Sequence, residues 1–382
     1  MTLMRSKPFD RARRRLMAAP VAAATLALPL AATAQPRGAR PLRIAQLLDV
    51  SADQQDLSRD YATGVRLAVA ELNQAGRPWQ LVTLESDGSA ASLAQAVKRL
   101  RDDADIAMLV GTAGERLALA SAAALRQEGL AIAQVGPWVA DNTLDGDDTV
   151  FPLFASREVQ LRRVLQDLGS MGVRELGVVY ASPRERSALG AGVEALAARL
   201  SLRTIPLAAP VGADLAAWGA SLAATSPVLQ LFLGGAPELA RFTQGLAQAG
   251  RQRYVVGLAD VDMTTLLQIG PGKSVPLILT QVVPNPQSSA LPVVRGYRAL
   301  LKQLFDEAPS PMSLAGYLAA RYAAQAIGRF ETPPSRAQAL AELQRRPNAD
   351  LGGFAISFGS GQRRGSQFVA QTMLTADGRL VG

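Results

Sequence analysis

The chain contains neither cysteine nor histidine. Without cysteine there are no disulfides, no thiolate metal sites and no lipid-modified cysteine behind a leader. Without histidine the usual general base, the base of a catalytic triad and the commonest zinc ligand are all missing. Aromatic residues are sparse, at 5 %. Lysine is confined to Lys7, Lys98, Lys273 and Lys302. Beyond residue 34 no apolar run is long enough to span a bilayer. The joint lack of cysteine and histidine weighs most heavily against catalysis.

What is present describes a globular protein. The 382 residues are 48 % hydrophobic and 19 % charged, and the length suffices for two domains. A formal charge of +8 is inflated by the first 34 residues, where Arg5, Lys7, Arg11, Arg13, Arg14 and Arg15 face only Asp10. The remainder holds 34 basic against 31 acidic residues, a balance that predicts no nucleic-acid partner. Residues 1–34 read as a signal peptide: a basic start to Arg15, an apolar run over Leu16–Leu30, and Ala32-Thr33-Ala34 as an A-x-A cleavage site. Arg13-Arg14-Arg15-Leu16-Met17 is equally readable as a twin-arginine signal or as an ordinary Arg-rich export signal.

The segment Asp105–Trp138 reads as strand, turn, helix, strand, turn. Ile106–Val110 suits a buried parallel strand, Leu117 to Leu125 an amphipathic helix ended by Gly129, and Leu130–Val135 the next strand. Thr112 and Glu115 have the spacing of a capping box. In a βαβ unit the turns 111–115 and 136–138 lie side by side outside the strand ends, where ligands bind such sheets.

Upstream, Leu42–Leu48 and Trp79–Leu84 read as strands, alternating with helices at Tyr61–Leu72 and Ala90–Leu100. A second βα series follows from Val159. Its strands are Glu175–Tyr180, Leu202–Leu207, Val228–Leu233, Tyr254–Gly257 and Leu277–Thr280. Ser182-Pro183-Arg184-Glu185 is a strong helix start. From Leu291 three helices follow without strands, the third capped by Ser335 with Gln338. Gly353–Phe358 and Gln367–Leu374 suggest a terminal hairpin. The fold class is α/β, with doubly wound parallel sheets.

The order of these segments resembles the type I periplasmic substrate-binding proteins of ABC importers, in the leucine/isoleucine/valine-binding group. The likeness rests on Gly64–Gly76 (GVRLAVAELNQAG), Ile106–Gly136, Leu231–Glu238 (LFLGGAPE) and Gly353–Phe358 with Gly361. It implies two lobes joined by a three-crossing hinge: residues 41–155 and 281–350 in lobe 1, 156–280 and 351–382 in lobe 2. It further implies a periplasmic monomer that encloses a small-molecule ligand and meets an ABC permease. Neither a cofactor nor a metal is expected, and hinge closure takes the place of chemistry.

Carried onto this chain, the family's ligand-binding positions are Asp49, Thr112, Ala113, Gly114, Glu115, Gly136, Pro137, Trp138, Tyr180, Ala236 and Asp260. In the family a hydroxyl and backbone N–H groups after the third strand hold a ligand carboxylate, a task suited to a helix N-terminus. Here Glu115 stands where serine is frequent. Either it caps its own helix with Thr112, or it faces the cleft toward a cationic or hydrogen-bond-donating ligand. Both readings set negative charge on the anion site and predict a protein that is not a standard branched-chain amino-acid binder. Trp138 is either lobe packing or a stacking wall. Arg157 and Glu158 read as hinge or surface charges. The alternative function is a ligand sensor of the same fold acting on a receptor or regulator. No enzyme motif survives: Gly190-Ala-Gly192 lacks a third glycine, and Gly359–Gly365 lacks the Lys-Ser/Thr of a P-loop.

Overall fold

The computed structural model describes residues 40–222, 224–359, 361–375 and 379–382. The expected signal peptide lies outside them. Strands β1 (Leu42–Asp49), β2 (Trp79–Ser86), β3 (Ile106–Thr112), β4 (Ala133–Val135) and β5 (Val150–Phe151) form a parallel sheet in the order β2-β1-β3-β4-β5. β1, β3 and β4 are almost wholly buried because both faces are covered, whereas β2, at the sheet edge, keeps Gln80, Thr83 and Glu85 exposed. Helices α1 (Gln55–Gln74), α9 (Pro292–Leu304), α10 (Pro311–Ala326) and α11 (Arg336–Gln344) bury one face, around Ile44, Met108, Tyr61, Tyr297 and Leu318. Helices α2 (Ala90–Asp102) and α3 (Glu115–Gln127) bury the other, with Leu47, Leu109, Leu93 and Leu117.

The second sheet has seven strands. β6 (Glu175–Tyr180), β7 (Arg203–Ala208), β8 (Leu229–Leu233), β9 (Tyr254–Gly257) and β10 (Leu277–Gln281) run parallel, in the order β10-β9-β8-β6-β7. Helices α4 (Arg157–Ser170) and α5 (Pro183–Arg199) pack on one face through Leu161, Val164, Leu168 and Val193. Helices α6 (Leu215–Ser221), α7 (Ala236–Gln248) and α8 (Met263–Ile269) pack on the other around Phe232, Leu239 and Phe242. Each fully buried leucine or phenylalanine in these layers contributes about 1.5–3 kcal/mol of transfer free energy.

The chain end departs from the expected hairpin. β11 (Ala349–Asp350) pairs with β12 (Ala355–Ile356). β13 (Ala370–Leu374) instead pairs antiparallel with β10 and with β14 (Leu380–Val381). Leu351, Phe354 and Ile356 belong to the core of the first lobe, so the stretch from 351 that was expected in lobe 2 begins in lobe 1. The chain thus passes between the sheets after β5, after β10 and after β12. In the first sheet the strand order reverses between β1 and β3, and in the second between β6 and β8. Crevices at such switch points are where this architecture takes ligands.

Candidate functional site

The two turns of the opening unit do meet. Trp138 N–H donates to the carbonyl of Thr112 at 2.8 Å, and Ala113 and Trp138 form an isolated parallel bridge. Gly136 must be glycine: its φ is +61°, and a Cβ there would stand 2.6 Å from that of Ala319. Its carbonyl accepts the Tyr61 hydroxyl at 2.5 Å, which seats the turn on α1.

The expected capping box at Thr112 is not formed. Thr112 ends β3, and the N-cap of α3 is Gly114, at φ +106° and with no side-chain cap. Glu115 is therefore the first helical residue, and its carboxylate points elsewhere. Its Oε2 accepts the backbone N–H of Ala140 at 3.0 Å and of Asp141 at 3.2 Å. The same oxygen receives Arg157 Nη2 at 3.2 Å. Arg157 also donates to Asp260 Oδ2, from Nε at 3.0 Å and Nη2 at 2.8 Å. Glu115 comes from lobe 1, Asp260 follows β9 in lobe 2, and Arg157 opens α4 just after the first crossing. One guanidinium thus ties the two lobes. Their side chains are 34 %, 29 % and 19 % exposed for Glu115, Asp260 and Arg157, sheltered enough for charge to count yet still wet. Burial opposes the charge of Arg157, but Asp260 and then Glu115 outweigh it and raise its pKa above the usual value.

Beside this triad lies a cavity of about 520 Å³ between the lobes. Glu115, Trp138 and Asp260 line it together with Arg157, Asp141, Arg184 and Glu185. Leu119 and Leu57 from lobe 1, and Leu189 and Phe232 from lobe 2, form its apolar wall. Trp138 is 9 % exposed and rests between Tyr61 and Phe154, at ring-centroid distances of 6.5 and 5.4 Å. It packs the core while one edge meets the cavity. Arg184 and Glu185 arrive through the expected Ser-Pro start of α5, where Ser182 Oγ accepts the Arg184 N–H at 3.2 Å. Asp141 is pushed up by burial, but hydrogen bonds from Thr143 and the charges of Arg157 and Arg364 bring it below the usual carboxylate range. Among the described residues no group of acids could hold a metal ion.

The loop that carries Ala140 and Asp141 is gripped from a second side. Arg364, 3 % exposed, donates to the carbonyls of Val139 at 2.7 Å, Phe154 at 3.1 Å and Asp141 at 2.5 Å. It also reaches the Asp145 carboxylate at 3.2 Å. Glu115 takes the loop's N–H groups and Arg364 its carbonyls.

The model of the periplasmic binding protein family matches residues 41–379. This chain belongs to that family. Solved structures agree on the fold. A substrate-binding periplasmic protein from Ralstonia solanacearum aligns over 89 % of this chain and 99 % of its own, with 23 % identity and a TM-score of 0.75. A possible leucine/isoleucine/valine-binding protein from Rhodopirellula baltica SH 1 aligns over 91 % and 98 %, with 20 % identity and a TM-score of 0.75. A branched-chain amino acid ABC transporter protein from Thermus thermophilus, solved with bound valine, aligns over 90 % and 95 %, with 14 % identity and a TM-score of 0.74. At these identities the likeness is one of fold. No curated protein matches the sequence.

Within the family's architecture the remaining residues carried over by resemblance sit behind the cavity wall. Thr112, Ala113 and Gly114 form the support of α3, and Pro137 is buried beside Gly136. Asp49, 1 % exposed, ends β1 beside Gly114; its Oδ1 accepts the Ser51 N–H at 2.9 Å, and its buried Oδ2 has no partner among the described residues. Tyr180 lies in the core of lobe 2 beneath α5 rather than in the cleft, and burial raises its pKa. Ala236 is buried at the start of α7, where Gly234 and Gly235 face the cavity instead. Arg157, expected as a hinge or surface charge, lies just after the first crossing, bridges Glu115 and Asp260, and also lines the cavity. The sequence signal for it is slight: an arginine just after a Ser N-cap at a lobe crossing.

Proposed function

We propose that this family member captures a small organic ligand between its lobes, in the periplasm, and passes it to the permease of an ABC importer. The ligand is not gripped by a carboxylate at the start of α3. The observation that carries this reading is the placement of Glu115, whose carboxylate sits on the Ala140 and Asp141 N–H groups and on Arg157. An anion brought to α3 would meet Glu115, and Arg157 is already shared between two carboxylates. Around the cavity Glu115, Asp141, Glu185 and Asp260 face Arg157 and Arg184, an excess of acid over base. The surrounding leucines, Phe232 and Trp138 favour an apolar body.

A neutral or cationic ligand with one apolar face fits best, so the role differs from that of the relative solved with valine. A thermal-shift screen of the purified protein tests this. Amides and aromatic or aliphatic amines are expected to raise Tm, and leucine, isoleucine and valine are expected to leave it within about 1 °C. By linkage, a ligand at a hundredfold excess over its Kd adds about 2.7 kcal/mol. A shift of that size with micromolar leucine overturns the proposal.

A further inference from the structure

Glu115, Arg157 and Asp260 form a bridge made of the chain's own groups, and both of its ends are held in place by other contacts. On lobe 1, Glu115 Oε2 rests on the Ala140 and Asp141 N–H groups. The carbonyl of the same Ala140 accepts the backbone N–H of Arg157 at 2.8 Å, so one residue aligns the acid and the base. On lobe 2, Gln160 stands one turn further along α4 and is buried. Its Oε1 accepts the Ala259 N–H at 2.9 Å and the Thr280 hydroxyl at 2.7 Å. Gln160 thereby pins the residue before Asp260 to β10 and to the helix that carries Arg157.

An isolated surface ion pair contributes little, because two long side chains must be ordered to make it. Here much of that ordering is done beforehand. Two backbone N–H groups place Glu115, and a buried amide fixes the segment of Asp260. The guanidinium then reaches both carboxylates with charge-assisted hydrogen bonds, and partial burial limits their screening.

We propose that this bridge is a tie that holds the two lobes closed before a ligand arrives, with Glu115 as the chain's own substitute for a ligand group spanning the cleft. Closure is then a property of the free protein, and the ligand fills a cleft already shaped rather than drawing the lobes together. It needs no charge of its own to join the lobes, in keeping with the apolar body inferred for it. The proposal rests on the reading of the cavity beside Glu115 as the ligand cleft, but its test contains no ligand, so the two fail separately.

The test is pulsed electron paramagnetic resonance between two spin labels on the full chain. Because the chain has no cysteine, Gln127→Cys in α3 and Ala195→Cys in α5 supply the only thiols, at exposed positions on different lobes. Unfolding in urea and refolding first removes any bound molecule. With the tie intact, one distance population is expected, at the separation of this structure. Glu115→Gln and Asp260→Asn each keep an acceptor of the same shape and remove the charge from one end of the tie. Each is expected to lower the ratio of closed to open molecules about tenfold or more, the effect of one charge-assisted hydrogen bond, and to bring up a second distance. Glu175→Gln, which breaks an ion pair with Arg203 inside lobe 2, is expected to leave the distribution unchanged. The proposal is overturned if the labelled chain with its tie intact is centred on a different distance. It is also overturned if either Glu115→Gln or Asp260→Asn leaves the distribution as it was, or if Glu175→Gln alters it as much. Leucine binding in the thermal-shift screen, with these distances as expected, would strike the ligand class and leave the tie standing.

Discussion

Two helices of this protein begin with the same spacing, a hydroxyl residue followed three positions later by Glu or Gln, and they use it differently. At α11, Ser335 Oγ accepts the Gln338 N–H at 3.3 Å and Gln338 Oε1 accepts the Ser335 N–H at 2.9 Å, a closed capping box. At α3, Thr112 remains in the strand and Glu115 reaches across to the 140–141 loop and to Arg157. The first start lies on the protein surface, where the cheapest partner for an orphan N–H is the adjacent side chain. The second lies at a strand end facing another lobe, where a loop and a guanidinium compete for the same carboxylate. Identical spacing therefore marks a helix start in both cases, but only its surroundings decide whether the acid serves the helix or the site. The start of α10 is intermediate. Ser310 Oγ accepts the Ser313 N–H at 3.0 Å while donating to Asp60, so one hydroxyl caps and couples.

These differences can be broken one by one. The largest effect is expected from Arg364→Met, which strips the 139–145 loop of the group opposite Glu115. Three carbonyls and Asp145 lose a buried partner, a cost of about 3–5 kcal/mol in urea unfolding. Arg157→Ala leaves Glu115 and Asp260 facing each other without their shared cation. With that arginine 19 % exposed the loss should be smaller, about 2–3 kcal/mol, and ligand-induced Tm shifts should vanish with it.

At α10 the comparison becomes one of pH. Asp60 sits near 6 in the folded chain against 3.8 for the free side chain. Between those values the folded state holds a proton that the unfolded state has released. Stability from this group therefore rises as pH falls from 7 toward 4, by about 2 kcal/mol, and Asp60→Asn should remove that slope. The smallest effects separate the two spacings directly. Ser335→Ala should cost about 1 kcal/mol, whereas Thr112→Val, which removes no cap, should stay within about 0.5 kcal/mol. Equal losses at both positions, measured by urea unfolding, would show that Thr112 does cap α3.

The layered α/β architecture was legible because period and punctuation carry it. The runs LRIAQLL, ELGVVY and VLQLFL are strands, Gly129 ends its helix at φ +61°, and the Ser182-Pro183 and Ser335 starts form as their spacing requires. Legibility fades where partners come from far along the chain. The alternation at 353–374 suggested a hairpin, yet Ala355–Ile356 pairs within lobe 1 and Ala370–Leu374 joins β10 in lobe 2. Both segments look like strands, and nothing local records that the chain changes lobe between them. The site behaves the same way. Its backbone turns were found from glycines and strand ends, but Arg157, Arg184 and Glu185 enter the cavity only because the second lobe folds over the first. Tyr180 ends a strand at the right height, but packing turns it under α5.

Arg364 gives the cleft an order of assembly. The loop that carries Ala140, Asp141 and Thr143 into the cavity is complete in sequence by residue 145, yet three of its restraints are supplied by a side chain 219 positions beyond Asp145. During synthesis both sheets can pair most of their parallel strands long before that residue exists. The cavity beside Glu115 is then among the last features to become rigid, and a chain truncated just before Arg364 would keep every residue that lines it and still present them loosely.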